Sequence, residues 1–144
     1  ILKMKYGFTG TRSGLTDSQK NNIITLLTND ILDGKSIEVH HGDCIGADKD
    51  FHDICNTLIS DYNKLNKYID IKIIIHPPTQ GAMRAFCKSD NVEQSLPYLQ
   101  RNKKIVEASD ILIACPYSKI EQLRSGTWAT IRYATKQKKQ VSMF

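Results

Sequence analysis

Short apolar runs typical of buried strands alternate with longer amphipathic stretches along this whole sequence of 144 residues, and this alternation limits the fold to a few classes. The pattern predicts strands at 6–9, 36–40, 71–75, 111–115 and 140–144, and helices at 16–34, 48–62, 95–108 and 127–138. Strands that are joined through helices run parallel. The sequence therefore predicts an α/β fold, a three-layer Rossmann-like domain with a five-stranded, mainly parallel sheet and helices on both faces.

No linker, repeat or low-complexity tract divides the chain, so we expect residues 1–144 to form a single domain. In parallel sheets of this kind, ligands bind beyond the carboxyl ends of the strands. The unusual residue clusters of this sequence all fall at predicted strand ends or helix starts.

The first cluster follows the first predicted strand and consists of Gly10, Thr11 and Arg12. Glycine lets the backbone approach a ligand closely, while the hydroxyl and the guanidinium group are good phosphate ligands. An ordinary glycine turn beside a surface arginine explains the same residues.

The second cluster follows the second predicted strand, where Gly42 and Gly46 flank a short loop with two aspartates. Asp48 is placed to cap the following helix. Alternatively, Asp43 or Asp48 accepts hydrogen bonds from ribose hydroxyls, as carboxylates do in dinucleotide sites. We prefer the cap for Asp48 and the ribose contact for Asp43.

The third cluster begins the last predicted helix and consists of Arg124, Ser125, Gly126 and Thr127. Free backbone N–H groups and the positive end of the helix dipole make such a start a natural anion site. The next residue, Trp128, could stack on a base, but its helical spacing from Ile131 favours a place in the core.

Two further arginines are candidates for the same ligand. Arg101 lies in the third predicted helix, and Arg84 lies in the irregular segment 79–94. Long irregular loops in small domains are often functional, so we expect this segment to form a lid whose Arg84 closes over the phosphate.

Composition adds only weak constraints on the partner. The net charge of +5 suits an anionic ligand and also suits nucleic acid. The four cysteines are scattered and His40 and His41 near Cys44 lack a third spaced ligand, so we expect reduced thiols, no metal and no cofactor. No apolar run reaches the roughly 18–20 residues of a membrane span and no signal-peptide pattern is evident, so we expect a cytoplasmic protein without a membrane partner.

The order and spacing of these clusters resemble the SLOG superfamily, the Rossmann-like group that includes DNA-processing protein A and the lonely-guy phosphoribohydrolases. The matching elements are Gly10–Arg12, His41–Asp48, Arg101–Asn102, Ala108–Asp110 and Ser125–Thr127. The resemblance implies a five-stranded core sheet, a nucleotide-related ligand at the glycine-rich loops and a homodimer or higher homo-oligomer.

Members of this superfamily differ in activity, so the resemblance leaves three functions open. Some members bind nucleotide signals, some hydrolyse the N-glycosidic bond of nucleoside monophosphates, and some bind single-stranded DNA. The phosphoribohydrolase motif Pro-Gly-Gly-x-Gly-Thr-x-x-Glu is incomplete here, because Thr130 stands at the glutamate position. We therefore expect a protein that senses or sequesters a small nucleotide-type molecule; a hydrolase that uses Asp43 or Asp48 is the alternative, and single-stranded DNA binding comes third.

Overall fold

The strands and helices alternate as the sequence pattern predicts. The computed structural model describes residues 2–144. In chain order the elements are β1 (Lys3–Gly10), α1 (Asp17–Leu32), β2 (Ser36–His41), α2 (Ala47–Lys64), β3 (Ile71–Ile75), a short 3-10 turn (Gly81–Met83), β4 (Asn91–Val92), α3 (Tyr98–Glu107), β5 (Ile111–Cys115), α4 (Gly126–Lys136) and β6 (Gln140–Met143). The class of fold, a Rossmann-like α/β domain with three layers, is confirmed.

The sheet has six strands, in the order β4-β3-β2-β1-β5-β6, and each neighbouring pair is parallel. The prediction of five strands missed β4, which lies inside the segment 79–94. This strand is two residues long and pairs Asn91 with Ile74 and Val92 with Ile75. Two residues cannot show a period of two, so only the neighbouring edge of β3 reveals them as a strand.

Two apolar clusters hold the helices to opposite faces of the sheet. The larger one packs Ile23 and Leu27 of α1 and Phe51 of α2 against β1, β2 and β3, with the rings of Phe8 and Phe51 stacked at 4.3 Å. The smaller one packs α3 and α4 against β5 and includes Trp128, which agrees with its prediction as a core residue. Burial of these faces is the main force that stabilises the three layers.

Two helices begin differently from the prediction. Gly46, with a φ of 101°, occupies the cap position of α2, so Asp48 lies inside the helix and does not cap it. Pro97 directly precedes α3, so this helix begins at Tyr98 and not at residue 95. Thr16 and Gln19 form a capping box on α1, and the Ser125 side chain caps α4.

The strand order changes direction at β1: β2, β3 and β4 extend the sheet on one side of β1, and β5 and β6 extend it on the other. Accordingly, α1 and α2 lie on one face of the sheet, and α3 and α4 lie on the opposite face. Such a reversal opens a crevice at the carboxyl ends of the central strands. None of the helices within residues 2–144 has the length and apolar character needed to cross a membrane.

Candidate functional site

A cavity of about 380 Å³ opens at the carboxyl ends of the central strands, beside the starts of α2, α3 and α4. Most of the residues that the sequence clusters indicate line this cavity: Gly10, Thr11, Arg12, Gly42, Asp48, Arg101, Arg124, Ser125, Gly126 and Thr127. Asp43, Gly46 and Arg84 do not. The lining that the sequence clusters did not include is Phe8, Thr9, Cys44, Ile45, Tyr98, Asn102 and Ile105.

The start of α4 presents several unused hydrogen-bond donors to the cavity. The Ser125 hydroxyl accepts the backbone N–H of Trp128 at 3.2 Å, while the N–H groups of Gly126 and Thr127 have no partner within residues 2–144. The Thr127 side chain is only 8% exposed, and its hydroxyl makes no hydrogen bond in the described chain. Together with the helix dipole, these free donors give the start of α4 the character that favours a negatively charged group.

Arg101 is the most deeply buried cation of the cavity, with 2% of its surface exposed. Its guanidinium group donates to the carbonyl oxygens of Gly42 and His76, the latter at 3.0 Å, and Nη2 lies 3.6 Å from Cys44 Sγ. Within residues 2–144 no carboxylate oxygen lies within 4.0 Å of it, so the charge has only neutral partners. Asp48 lines the same cavity and interacts with the Arg101 charge, but the two side chains form no direct ion pair. A buried charge without a direct ion pair is costly, and an anion in the cavity would provide one.

The Tyr98 ring lies between two cations of the cavity, Arg12 and Arg101. Nothing in its residue type or position in the sequence indicated this place. Its ring lies 4.7 Å from the guanidinium carbon of Arg101 and 5.9 Å from that of Arg12. Burial and the hydrogen bond with Cys44, 3.6 Å from the phenol oxygen, raise the Tyr98 pKa. The phenol therefore keeps its proton and can donate it in a hydrogen bond to a bound anion.

Asp48 is the one carboxylate among the described residues that line the cavity. Its side chain is 8% exposed, and Oδ2 accepts the backbone N–H of Cys44 at 3.0 Å. Burial raises the Asp48 pKa to about 6, although the Arg101 charge and the Cys44 N–H favour the ionised form. The cap function predicted for Asp48 is wrong; the carboxylate stabilises the loop before α2 and faces the cavity.

Asp43 and Arg84 point away from the cavity and bind each other instead. Asp43 is fully buried; Oδ2 accepts a hydrogen bond from Arg84 Nε at 2.8 Å and Oδ1 accepts the backbone N–H of Cys87 at 2.9 Å. Its φ of 56° turns the loop so that its own carbonyl accepts the N–H of Ala85. The structure therefore corrects the ribose contact predicted for Asp43 and the phosphate contact predicted for Arg84.

The same bonds bear on the lid predicted for the segment 79–94. Residues Met83 to Cys87 of that segment are fixed to the loop after β2, because the backbone bond from Ile45 to Met83 adds to the contacts of Asp43. The segment thus forms part of the wall behind the loop and does not cover the cavity.

Gly46 is required for packing rather than for ligand approach. A Cβ at this position would lie 2.2 Å from the carbonyl oxygen of Arg12, and φ is 101°. The N–H of the next residue, Ala47, donates to the carbonyl of Thr11 at 3.0 Å. These contacts join the loop after β1 to the loop after β2, so the first two clusters form one unit.

Two histidines group differently from the sequence expectation. The donor atoms of His41, His52 and Cys87 lie within 4.8 Å of one another, a set that would suit a metal ion by residue type. However, His41 Nδ1 accepts the backbone N–H of Asp43 at 3.0 Å, so its Nε2 carries the proton and donates to His52 Nδ1 at 2.9 Å. A metal on His41 Nε2 would have to break this chain of hydrogen bonds.

Thr130, which stands at the glutamate position of the phosphoribohydrolase motif, does not reach the cavity. It is 2% exposed, and its hydroxyl donates to the carbonyl of Gly126 at 3.0 Å. Its hydroxyl is thus engaged within α4 and cannot replace a catalytic carboxylate.

The comparisons with known proteins identify the fold. No family model matches the chain, and no curated protein matches it. Among solved structures, the chain is similar to the molybdenum cofactor binding protein from the phototrophic bacterium Rippkaea orientalis, with a TM-score of 0.68 and 19% identity over 99% of this chain and 77% of that one.

Two further structures are also similar. DNA processing protein A from Helicobacter pylori, described with a single-stranded DNA binding mode, gives a TM-score of 0.55 and 22% identity over 97% of this chain and 64% of that one. The protein TM1055 gives 0.54 and 15% identity over 98% of this chain and 72% of that one. The chain shares its Rossmann-like fold with these three structures, and at identities of 15–22% the likeness concerns the fold.

Proposed function

We propose that the protein binds a small phosphate-bearing molecule, a nucleotide or a nucleotide-derived signal, in the cavity at the carboxyl ends of the strands, and acts as a sensor or a sequestering protein. The observation that carries this proposal is Arg101, a buried guanidinium group whose partners are all neutral. The phosphate binds at the start of α4, where the Thr127 hydroxyl and two backbone N–H groups are unused.

The flexible cations of the cavity support the same ligand class. Arg12 and Arg124 are exposed residues that line the cavity from the loop after β1 and from the residue before the α4 cap. Long side chains at a cavity mouth can close over a phosphate once it has bound. Asp48 then faces the part of the ligand that carries hydrogen-bond donors, such as ribose hydroxyls.

The first experiment identifies the ligand. The purified protein is equilibrated with a mixed panel that contains mononucleotides, dinucleotides, cyclic nucleotides, ADP-ribose and the molybdenum cofactor, which is included because the similar Rippkaea orientalis protein binds it. After filtration and denaturation, mass spectrometry identifies what the protein retained. Retention of one intact anionic species supports the proposal, and retention of none at saturating concentrations contradicts it.

The second experiment tests the placement of the ligand. The double variant Arg12→Ala/Arg124→Ala removes two guanidinium groups, each worth about 1.5 kcal/mol in a charged hydrogen bond, so we expect about a 100-fold loss of affinity. The matched control is Lys64→Ala/Lys136→Ala, which removes two cations from helix ends that do not line the cavity. An equal loss in both variants would mean that long-range charge, not contact, attracts the ligand.

Asp48 supports one alternative, a hydrolase of the N-glycosidic bond. A carboxyl group whose pKa lies near 6 in a closed site can donate a proton to a leaving base. Release of free base from a nucleoside monophosphate, lost in Asp48→Asn, would establish this activity. With Thr130 in place of the motif glutamate, we expect no such release.

Single-stranded DNA binding, as described for DNA processing protein A from Helicobacter pylori, is the remaining alternative. It predicts an affinity for oligonucleotides that falls steeply with salt, since each neutralised phosphate releases counter-ions. A ligand enclosed in one cavity depends on salt much more weakly. A titration at two salt concentrations therefore separates these functions.

A further inference from the structure

A second cavity, of about 620 Å³, also borders α3 and shares no residue with the first. It is lined by His76 after β3, by Glu93, Gln94 and Leu96 after β4, and by Lys104 and Glu107 on α3. No sequence cluster pointed to this place, because its residues are dispersed along the chain.

Three hydrogen-bonded side chains, Glu38, His40 and His76, lead from within the sheet to this cavity. His40 Nε2 lies 2.8 Å from Glu38 Oε2, and His40 Nδ1 lies 2.8 Å from His76 Nε2. Burial raises the Glu38 pKa, but the hydrogen bonds from His40 and Lys3 outweigh it and lower the pKa, so the carboxylate is ionised and can only accept.

The ionised Glu38 carboxylate fixes the direction of both hydrogen bonds in this series. Since Glu38 accepts, His40 donates from Nε2, and its Nδ1, unprotonated in the neutral ring, accepts from His76 Nε2. Burial lowers the pKa of both rings, that of His76 to about 4, so both are neutral at physiological pH. The remaining nitrogen, His76 Nδ1, consequently carries a lone pair.

This lone pair has no partner within the described chain. His76 is 7% exposed, and its Nδ1 makes no hydrogen bond within residues 2–144. The atom is nevertheless not fully enclosed by protein. It is therefore open to the cavity whose wall the ring forms. A buried acceptor that is held in one direction by an ionic chain is preorganised for a donor from a ligand.

The acceptors that line the cavity favour a ligand that is rich in donors. Glu93 and Glu107 contribute two carboxylates to the wall, and they face the ammonium group of Lys104 in the wall and the Arg101 guanidinium, which donates to the His76 carbonyl. His41, His52 and Cys87 are the one group of three metal-ligand side chains that converges within the described residues, so His76 and the two glutamates do not form a compact metal site. An organic group that spans the cavity fits the acceptors better than a single ion.

We propose that this second cavity binds a small organic cation with N–H donors, an ammonium, guanidinium or amidinium group, which donates to His76 Nδ1 and pairs with Glu93 and Glu107. The site is independent of the anion cavity and of the function proposed for it. Arg101 donates to the His76 carbonyl oxygen at 3.0 Å, so the two glutamates have to offset its charge as well as that of Lys104 before a cation can bind.

The experiment uses the full chain and three probe cations, putrescine, agmatine and benzamidine. Long-range ¹H–¹⁵N NMR first reports the His76 tautomer, which we expect to be protonated at Nε2 and unprotonated at Nδ1. A titration then follows the His76 ring, and we expect a saturable shift with at least one probe and none with acetate. A proton on Nδ1, or saturation by no probe, would overturn the proposal.

Variants of exposed residues separate specific binding from general attraction of cations. Glu93→Gln/Glu107→Gln keeps the shape of the wall and removes its charge, so we expect at least a tenfold weaker probe affinity. The matched control, Asp33→Asn/Asp110→Asn, removes two exposed carboxylates elsewhere and should leave the affinity unchanged. Equal losses in both pairs would contradict a built site at His76.

Discussion

The two cavities that border α3 differ in the kind of hydrogen-bonding group that they leave unused. The first presents unused donors, namely the Thr127 hydroxyl and the free N–H groups of α4, beside the Arg101 guanidinium, whose hydrogen bonds go to neutral protein groups. The second presents acceptors, with His76 Nδ1 and two carboxylates. One short helix contributes to both walls, with Arg101 in the first cavity and Lys104 and Glu107 in the second.

The difference shows that net charge is a poor guide to what a small domain binds. The chain carries +5 overall, which predicts an anionic ligand, yet the second cavity is lined by two carboxylates and an unpartnered acceptor. Buried polar atoms without partners are more informative, because each represents a desolvation cost that only a ligand or water can offset. Substitutions that remove such atoms one at a time test whether the donors of the first cavity bind an anion.

The largest effect should follow Arg101→Met. We expect pyrophosphate binding to fall by at least 100-fold, because the buried counter-charge is lost. The carbonyls of Gly42 and His76 also lose their donor, which lowers the free energy of unfolding by about 2–4 kcal/mol. Calorimetric titration and urea unfolding measure both effects. Wild-type pyrophosphate affinity in this variant would place the anion elsewhere.

The pH dependence of anion binding should show a smaller effect, about tenfold, which depends on Asp48. Below its pKa of about 6 the Asp48 carboxyl is neutral, and above it the negative charge repels an anion in the same cavity. Sulfate, which does not titrate in this range, should therefore bind more weakly as the pH rises from 5 to 7.5. The dependence should disappear in Asp48→Asn, and a profile that this substitution does not change would assign the titration to another group.

The smallest effect should follow Thr127→Val, which replaces the unused hydroxyl by a methyl group of similar size. We expect pyrophosphate affinity to fall about fivefold, since one neutral hydrogen bond contributes about 1 kcal/mol. Thr135→Val is the control, because its hydroxyl bonds within α4 to the Ile131 carbonyl at 3.0 Å and does not line the cavity. Equal losses in the two variants would show that Thr127 acts only through the helix.

The periodic parts of the fold could be predicted from the sequence, because they depend on local patterns. The run 71–75 indicates a buried parallel strand, and the pattern over 127–138 indicates the last helix; the structure contains both. Strand β4 could not be predicted, since its two residues become a strand only through pairing with β3.

The direction in which each side chain points could not be predicted from the sequence, and this limited the prediction of the site. Asp43 and Asp48 are five residues apart and chemically identical, yet Asp43 turns into the protein because its φ is 56° and Arg84 binds it there. Tyr98 and Cys44 enter the first cavity only because α3 crosses the loop after β2. The second cavity depends on a hydrogen-bond chain from Glu38 to His76, which no spacing in the sequence indicates.

The central position of β1 has a consequence for folding. Tyr6 pairs with Val39 of β2, about 30 residues later, and with Ile111 of β5, about 100 residues later. Contacts between distant parts of a chain form slowly, because closing a long loop costs entropy. The first cavity needs both the end of β1 and the start of α4, so during refolding its binding competence should appear after most of the helical signal has returned.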